Sequence, residues 1–231
     1  MNLFSYILRY DDGAAPNPYY GYCTLAICKP VIRRNAKVGD WVVGLGSSSV
    51  LMEDGNNHNF SKHIIYAMRV SEKMTIKEYG EFCLDYLNGK IPNINDLYFP
   101  KRVGDCIYYY SKKKSEVILR DSVHTEVNRK SDLGGEYVLL ADEFYYFGSK
   151  PQYIPEKLHG IIHQNQGHQK QKNDSYIEDF IEWISKFKKN NLYAEPQLKY
   201  EFKNYEKRLG KCSVRDLLEN QIEDNFLVTE E

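Results

Sequence analysis

A succession of short β-forming runs, each cut off by a turn signal, extends as far as Gly148, and one clean helical repeat follows; this change of period constrains the fold more than any other feature. Leu3 to Tyr10 alternates and ends at Asp11-Asp12-Gly13, and the apolar run Cys23 to Cys28 stops at Lys29-Pro30. Val38-Gly39-Asp40 is a turn into a strand that runs from Trp41 to Gly46. Gly, Asp and Pro end strands because they supply positive φ, local side-chain hydrogen bonds or a missing donor. Ile64 to Val70, Ile107 to Tyr110, Val117 to Arg120 and Tyr137 to Ala141 are the further strand candidates, the last followed by Phe144-Tyr145-Tyr146-Phe147-Gly148.

Two segments carry helical spacing. From Thr75 to Asn88, Thr75 is the expected N-cap with Glu78 as its capping-box partner, and Tyr79, Phe82, Cys83, Tyr86 and Leu87 share a face. From Ser175, Ile177, Phe180, Ile181, Ile184 and Phe187 recur at steps of three and four. A third, shorter helix is expected at Ser213 to Ile222. Mixed periods of this kind predict an α+β fold. The 231 residues suit one core with an appendage, divided as 1–172 and a helical extension over 173–231. A hydrophobic content of 42% with 14% aromatic is ample for burial and excludes a disordered chain.

The net charge of −1 conceals six acids and no base from Asp216 onward, so the body is mildly basic and compatible with a polyanion. Five cysteines without a Cys-x-x-Cys pair give neither a disulfide framework nor a zinc ribbon, and read as reduced thiols of a cytoplasmic protein. No apolar run has the length of a membrane span, and Asn2, Ser5 and Arg9 interrupt any signal-type segment at the start. Neither export nor membrane insertion is expected.

The densest stretch is Ile32-Arg33-Arg34-Asn35-Ala36-Lys37, a basic loop that leads through Gly39-Asp40 into Trp41-Val42-Val43-Gly44-Leu45-Gly46-Ser47. Its Arg-Asn step, Gly-Asp turn, barrel-type strand and final Ser47 resemble EVE-type members of the PUA-like superfamily. Ile64 to Ser71 resembles the strand that follows in those proteins. The run Ala15-Pro16-Asn17-Pro18-Tyr19-Tyr20-Gly21, with Cys23-Thr24-Leu25-Ala26, Cys28-Lys29-Pro30, Ile32-Arg33-Arg34 and Val38 to Gly44, is similar to the second of the nucleotide modification associated domain families. That resemblance implies a PUA/EVE-like twisted mixed β-barrel flanked by helices, in a bacterial or phage setting of DNA modification or defence, with a nucleotide or modified base as partner. Of the EVE-type strand-end residues only Ser47 carries across.

A base outside its stack regains roughly 1 to 3 kcal/mol from aromatic walls, and its polar edge needs fixed partners. Tyr19, Tyr20, Trp41 and Tyr66 are the candidate walls, although core packing competes for each ring taken alone. Asn17, Arg34, Asn35 and Ser47 are candidate edge or phosphate partners, and Lys29, Arg33, Arg34 and Lys37 form a candidate phosphate patch. Gly167-His168 matches the resemblance and is expected in a polar loop closing the pocket mouth. His159, His163 and His168 invite a metal, but no acid lies among them and two glycines weaken a helix there, so no metal or other cofactor is expected. His124 is a candidate general base without a visible nucleophile, and Asp105 and Asp142-Glu143 are possible acids. No Walker loop, dinucleotide fingerprint, Gly-x-Ser-x-Gly or His-Glu-x-x-His occurs. The leading expectation is a base- or nucleotide-binding module; the alternatives are an enzyme acting on a nucleotide or base, and a protein-interaction or phage-inhibitor module.

Overall fold

The computed structural model describes residues 1–111, 116–162, 168–171 and 174–202. In chain order these form β1 (Leu3–Leu8), β2 (Cys23–Leu25), α1 (Pro30–Asn35), β3 (Trp41–Gly46), β4 (Val50–Leu51), β5 (Asn57–His58), β6 (His63–Arg69) and β7 (Glu72–Thr75). Then come α2 (Ile76–Asp85), α3 (Phe99–Arg102), β8 (Tyr108–Tyr110), β9 (Val117–Leu119), α4 (Arg129–Gly134), β10 (Tyr137–Ala141) and β11 (Glu143–Tyr146). The remainder are β12 (Gln152–Tyr153), β13 (His168–Gln171), α5 (Asp174–Ile184) and β14 (Asn191–Leu192). No described helix is long and apolar enough to cross a membrane. The expected helix at Ser213 to Ile222 lies outside the described residues.

A mixed sheet in the order β13-β1-β3-β6-β11-β14, with β12 also on β6, holds the centre. β1 runs parallel to β3, and β3, β6 and β11 are antiparallel neighbours. The second sheet is β2-β10-β7. The chain passes directly between the sheets twice, from β6 into β7 and from β10 into β11, so the two share corners. Among the described residues no ladder joins the edge strands β13 and β14. The architecture is therefore α+β, and the expected barrel closure is not part of the pairing.

Side-chain alternation decides what each face buries. Phe4, Tyr6, Val42, Tyr66, Met68, Phe144 and Tyr146 point to one face of the central sheet and form one cluster. Leu3, Trp41, Val43, Leu45, Ala67, Tyr145 and Phe147 point to the other, where Phe180 and Ile184 of α5 cover them. A third cluster packs α2 and the 103–108 segment against β10. β3 is buried along its whole length, as a central strand covered on both faces must be.

Two local expectations were sharp. Thr75 caps α2 as a complete capping box, donating and accepting with Glu78. The basic stretch after Lys29, in contrast, is no loop: Pro30 sits in the first turn of α1, where its missing N–H has no intrahelical partner to lose. Gly44 makes room for the Tyr66 ring, and Gly46 for the Cβ and backbone of Phe60. A Cβ at Gly44 would lie 2.3 Å from the Tyr66 ring, and one at Gly46 would lie 2.4 Å from Phe60.

Candidate functional site

The four expected ring walls do not meet. Trp41 and Tyr66 lie on opposite faces of one sheet; Trp41 stacks on Tyr145 at 6.3 Å and meets Phe180 edge-on at 5.4 Å. Tyr66 shares a buried hydroxyl contact of 2.9 Å with Tyr6. Both are core residues. Tyr20 is half-buried and packs over Gly89, where burial pushes its phenol up to about 12. Arg33 is fully buried and donates to the carbonyls of Cys28 (2.8 Å), Ala26 (2.7 Å), Tyr137 (2.9 Å) and Asp132. It therefore leaves the expected phosphate patch. Arg34 is half-buried and donates to the Gly134 carbonyl. Asn35 is exposed, and Ser47 sits at the surface end of β3, where its carbonyl accepts from Phe60 N. His168 is placed by its backbone in β13 opposite Tyr6, so it belongs to a sheet edge and not to the expected loop. His163 lies outside the described residues. His159 Nε2 lies 3.0 Å from the Ile154 carbonyl.

Asn17 holds structure together. Its Oδ1 and carbonyl accept from the buried Lys90 ammonium at 2.7 and 2.8 Å, and its Nδ2 donates to the Val103 carbonyl. Lys90 also reaches Thr24 Oγ1 and the Tyr22 carbonyl at 2.9 Å. Nearby, Asp105 accepts from Tyr79 at 2.7 Å and from Thr24. Burial pulls the Lys90 ammonium down and pushes the Asp105 carboxyl up, each opposed by the other's charge. This network fixes the loop that carries Tyr19.

Tyr19 leads to a cavity. It donates to Glu195 at 3.1 Å and meets Phe99 edge-on at 6.2 Å, and both residues line a cavity of about 490 Å³. The walls come from four separate segments: the β4–β5 turn at Met52 and Glu53, α3, Ser149, and 195–202. A volume of this size suits a small organic ligand. Phe99, Tyr200 and Phe202 supply aromatic surface, with Phe99 and Phe202 edge-to-face at 5.1 Å. The charged groups balance, Glu53 and Glu195 against Arg102 and Lys199.

The decisive wall residue is Gln197. It is only 3% exposed, and among the described residues neither its Nε2 nor its Oε1 has a hydrogen-bond partner. Buried carboxamides are normally paired, because an unmet buried donor or acceptor costs about 1 to 3 kcal/mol. The segment cannot easily turn to satisfy it. Gln197 N donates to Asp11 Oδ2 at 3.1 Å and Leu198 N donates to the Asp11 carbonyl at 2.9 Å. Pro196 packs so closely on Gly13 that a Cβ there would approach to 2.7 Å. Asp11 also accepts from Tyr146, and burial pushes its carboxyl up to about 7 against those hydrogen bonds. The result is a buried carboxamide beside an aromatic cavity whose charged groups balance, and a side-chain movement that turned the amide into the cavity would offer a donor next to an acceptor.

Of the expected residues, Tyr19 supports this cavity and the others lie elsewhere. Sequence reasoning missed Gln197, Phe99 and Phe202, whose partners are distant in the chain. No curated protein and no solved structure matches this chain. A model of the family described as nucleotide modification associated domain 2 matches residues 1–205, and the chain belongs to that family.

Proposed function

We propose that the protein recognises a nucleobase in the Gln197 cavity, as the base-reading part of a bacterial or phage nucleotide-modification system. The family supplies the nucleotide association, and the observation that carries the reading is the buried, unpaired Gln197 carboxamide among aromatic side chains. A primary amide pairs in two-point fashion with the N6/N7 edge of adenine, and with the other bases wherever donor and acceptor adjoin. The balanced charge of the lining favours the base itself over its phosphates. The four described cysteines form no disulfide among the described residues, which suits a reducing, cytoplasmic setting.

Calorimetric titration with the common nucleosides and with short single-stranded DNA and RNA tests this. At least one base is expected to bind saturably. Gln197→Met removes two hydrogen bonds, worth about 1 to 3 kcal/mol together, and is expected to weaken binding by one to two decades. Trp41→Phe is expected to leave affinity unchanged. Equal binding by wild type and Gln197→Met, or no binding across the panel, overturns the proposal.

A further inference from the structure

Away from the cavity, the structure brings together a thiol, an imidazole and a carboxylate that are remote in sequence. Cys28 Sγ lies 3.6 Å from His124 Nε2, and His124 Nδ1 lies 2.7 Å from Asp132 Oδ2. The second carboxylate oxygen, Asp132 Oδ1, accepts from the Cys28 N–H at 2.9 Å, and Tyr108 donates to Oδ2 at 3.0 Å. His124 and Asp132 are buried, whereas Cys28 is half-buried. We infer that Cys28 is a nucleophile for acyl transfer, with His124 as its base and Asp132 as the group that orients the base.

The chemistry follows from the order of contacts. Burial alone would raise the Asp132 carboxyl, but His124, Arg33 and the Cys28 N–H together hold it below its ordinary range. An ionised carboxylate only accepts, so the proton of neutral His124 sits on Nδ1 and the Nε2 lone pair faces the thiol. A nucleophile bonded to a base that a third group orients is the general pattern of nucleophilic catalysis. Cys28 and Lys29 both hold left-handed backbone, φ 58° and 43°, on the sharp turn between β2 and α1. Non-glycine residues in that region cost on the order of 1 to 3 kcal/mol, and such strain gathers at functional sites. Arg33 fastens both sides of the triad by donating to the Cys28 and Asp132 carbonyls. It is a positioning residue.

A metal is the competing use of these side chains. With Asp132 Oδ2 held on His124 Nδ1 at 2.7 Å, however, only Oδ1 is left to join Nε2 and Sγ on an ion, and Oδ1 already accepts from the Cys28 N–H. The other described thiols are unsuited to attack: Cys23, Cys83 and Cys106 are buried, and burial pushes Cys23 up to about 12.

The reaction balances with water as co-reactant. His124 Nε2 takes the Sγ proton as sulfur adds to the carbonyl carbon of an amide, ester or thioester. The bond to the leaving atom breaks as that atom receives the proton, which leaves a thioester on Cys28. Water then adds to the thioester carbon and passes its proton to Nε2. The C–S bond breaks, the carboxylic acid departs and the proton returns to sulfur.

The test uses the full chain and needs no nucleobase, so it is independent of the cavity. Iodoacetamide labelling, mapped by peptide mass, gives the pH profile of Cys28 in the wild type. Thiolate fraction and nucleophilicity together predict labelling about tenfold faster at about pH 6 than an ordinary thiol of pKa about 8.5. His124→Gln is expected to remove the excess. 4-Nitrophenyl acetate is expected to give a burst of nitrophenol with one acetyl group on Cys28, absent in Cys28→Ala. An ordinary thiol profile in the wild type overturns the inference even if His124→Gln fails to fold. Stoichiometric zinc that blocks labelling until it is chelated overturns it in favour of a metal site.

Discussion

Replacing Gln197 by methionine is expected to stabilise the protein while it weakens base recognition by one to two decades, a combination that ordinary packing does not produce. The side chain is 3% exposed, with both polar atoms unpaired among the described residues. Methionine keeps the length of the chain and removes the groups that lost water without gaining partners. Each unmet group carries about 1 to 3 kcal/mol. Some polar relaxation in the unfolded and folded states reduces the sum, so a net gain of about 1 to 2 kcal/mol is the expectation. Urea unfolding at constant m-value reads this as a higher midpoint. Gln197→Ala separates the effects, since it removes the amide but opens a void and is expected to gain less or lose stability. A destabilisation of more than about 1 kcal/mol by Gln197→Met would refute the reasoning, because it would mean that the carboxamide is already satisfied in the free protein.

Two further outcomes follow from buried charges. The Asp11 carboxyl, pushed up to about 7 by burial, holds its proton in the folded state to higher pH than in the unfolded chain. Its stabilisation is therefore full only at acidic pH and falls as pH rises toward 7, by about 2 kcal/mol between about pH 5.5 and pH 8; Asp11→Asn is expected to flatten that slope in urea titrations, and an unchanged slope contradicts it. Lys90→Met leaves Asp105 buried without its compensating cation and Asn17 without its donor, so a loss of about 3 to 5 kcal/mol in urea midpoint analysis is expected; a loss under about 1 kcal/mol contradicts the role given to Lys90.

Local chemistry made several elements readable before any coordinates. Thr75 and Glu78 announce the start of α2 because a capping box needs only residues three apart. The strands at Leu3, Trp41, Ile64 and Tyr137 follow from short-range propensity and turn residues. What misled was parity. Trp41 pairs with Arg69, and Gly44 pairs with Tyr66, so two rings on neighbouring strands face opposite sides of the sheet, and strand identity alone does not reveal this. The run from Arg33 to Asn35 looked like a basic loop because charge dominates it, yet the pocket that accepts Arg33 is built from carbonyls of Ala26, Asp132 and Tyr137. His124 stood out as a base, but its nucleophile lies 96 residues away. The Gln197 cavity joins four segments, and no periodicity links them.

Selective ¹⁵N labelling of glutamine side chains gives the most direct test of base recognition. The Gln197 carboxamide resonances, assigned by their loss in Gln197→Met, are expected to shift and exchange more slowly with solvent when a binding nucleoside is added, as new hydrogen bonds form on both Nε2 and Oε1. Saturation with every nucleoside, while those resonances stay where they were, would place the base elsewhere and contradict the central claim.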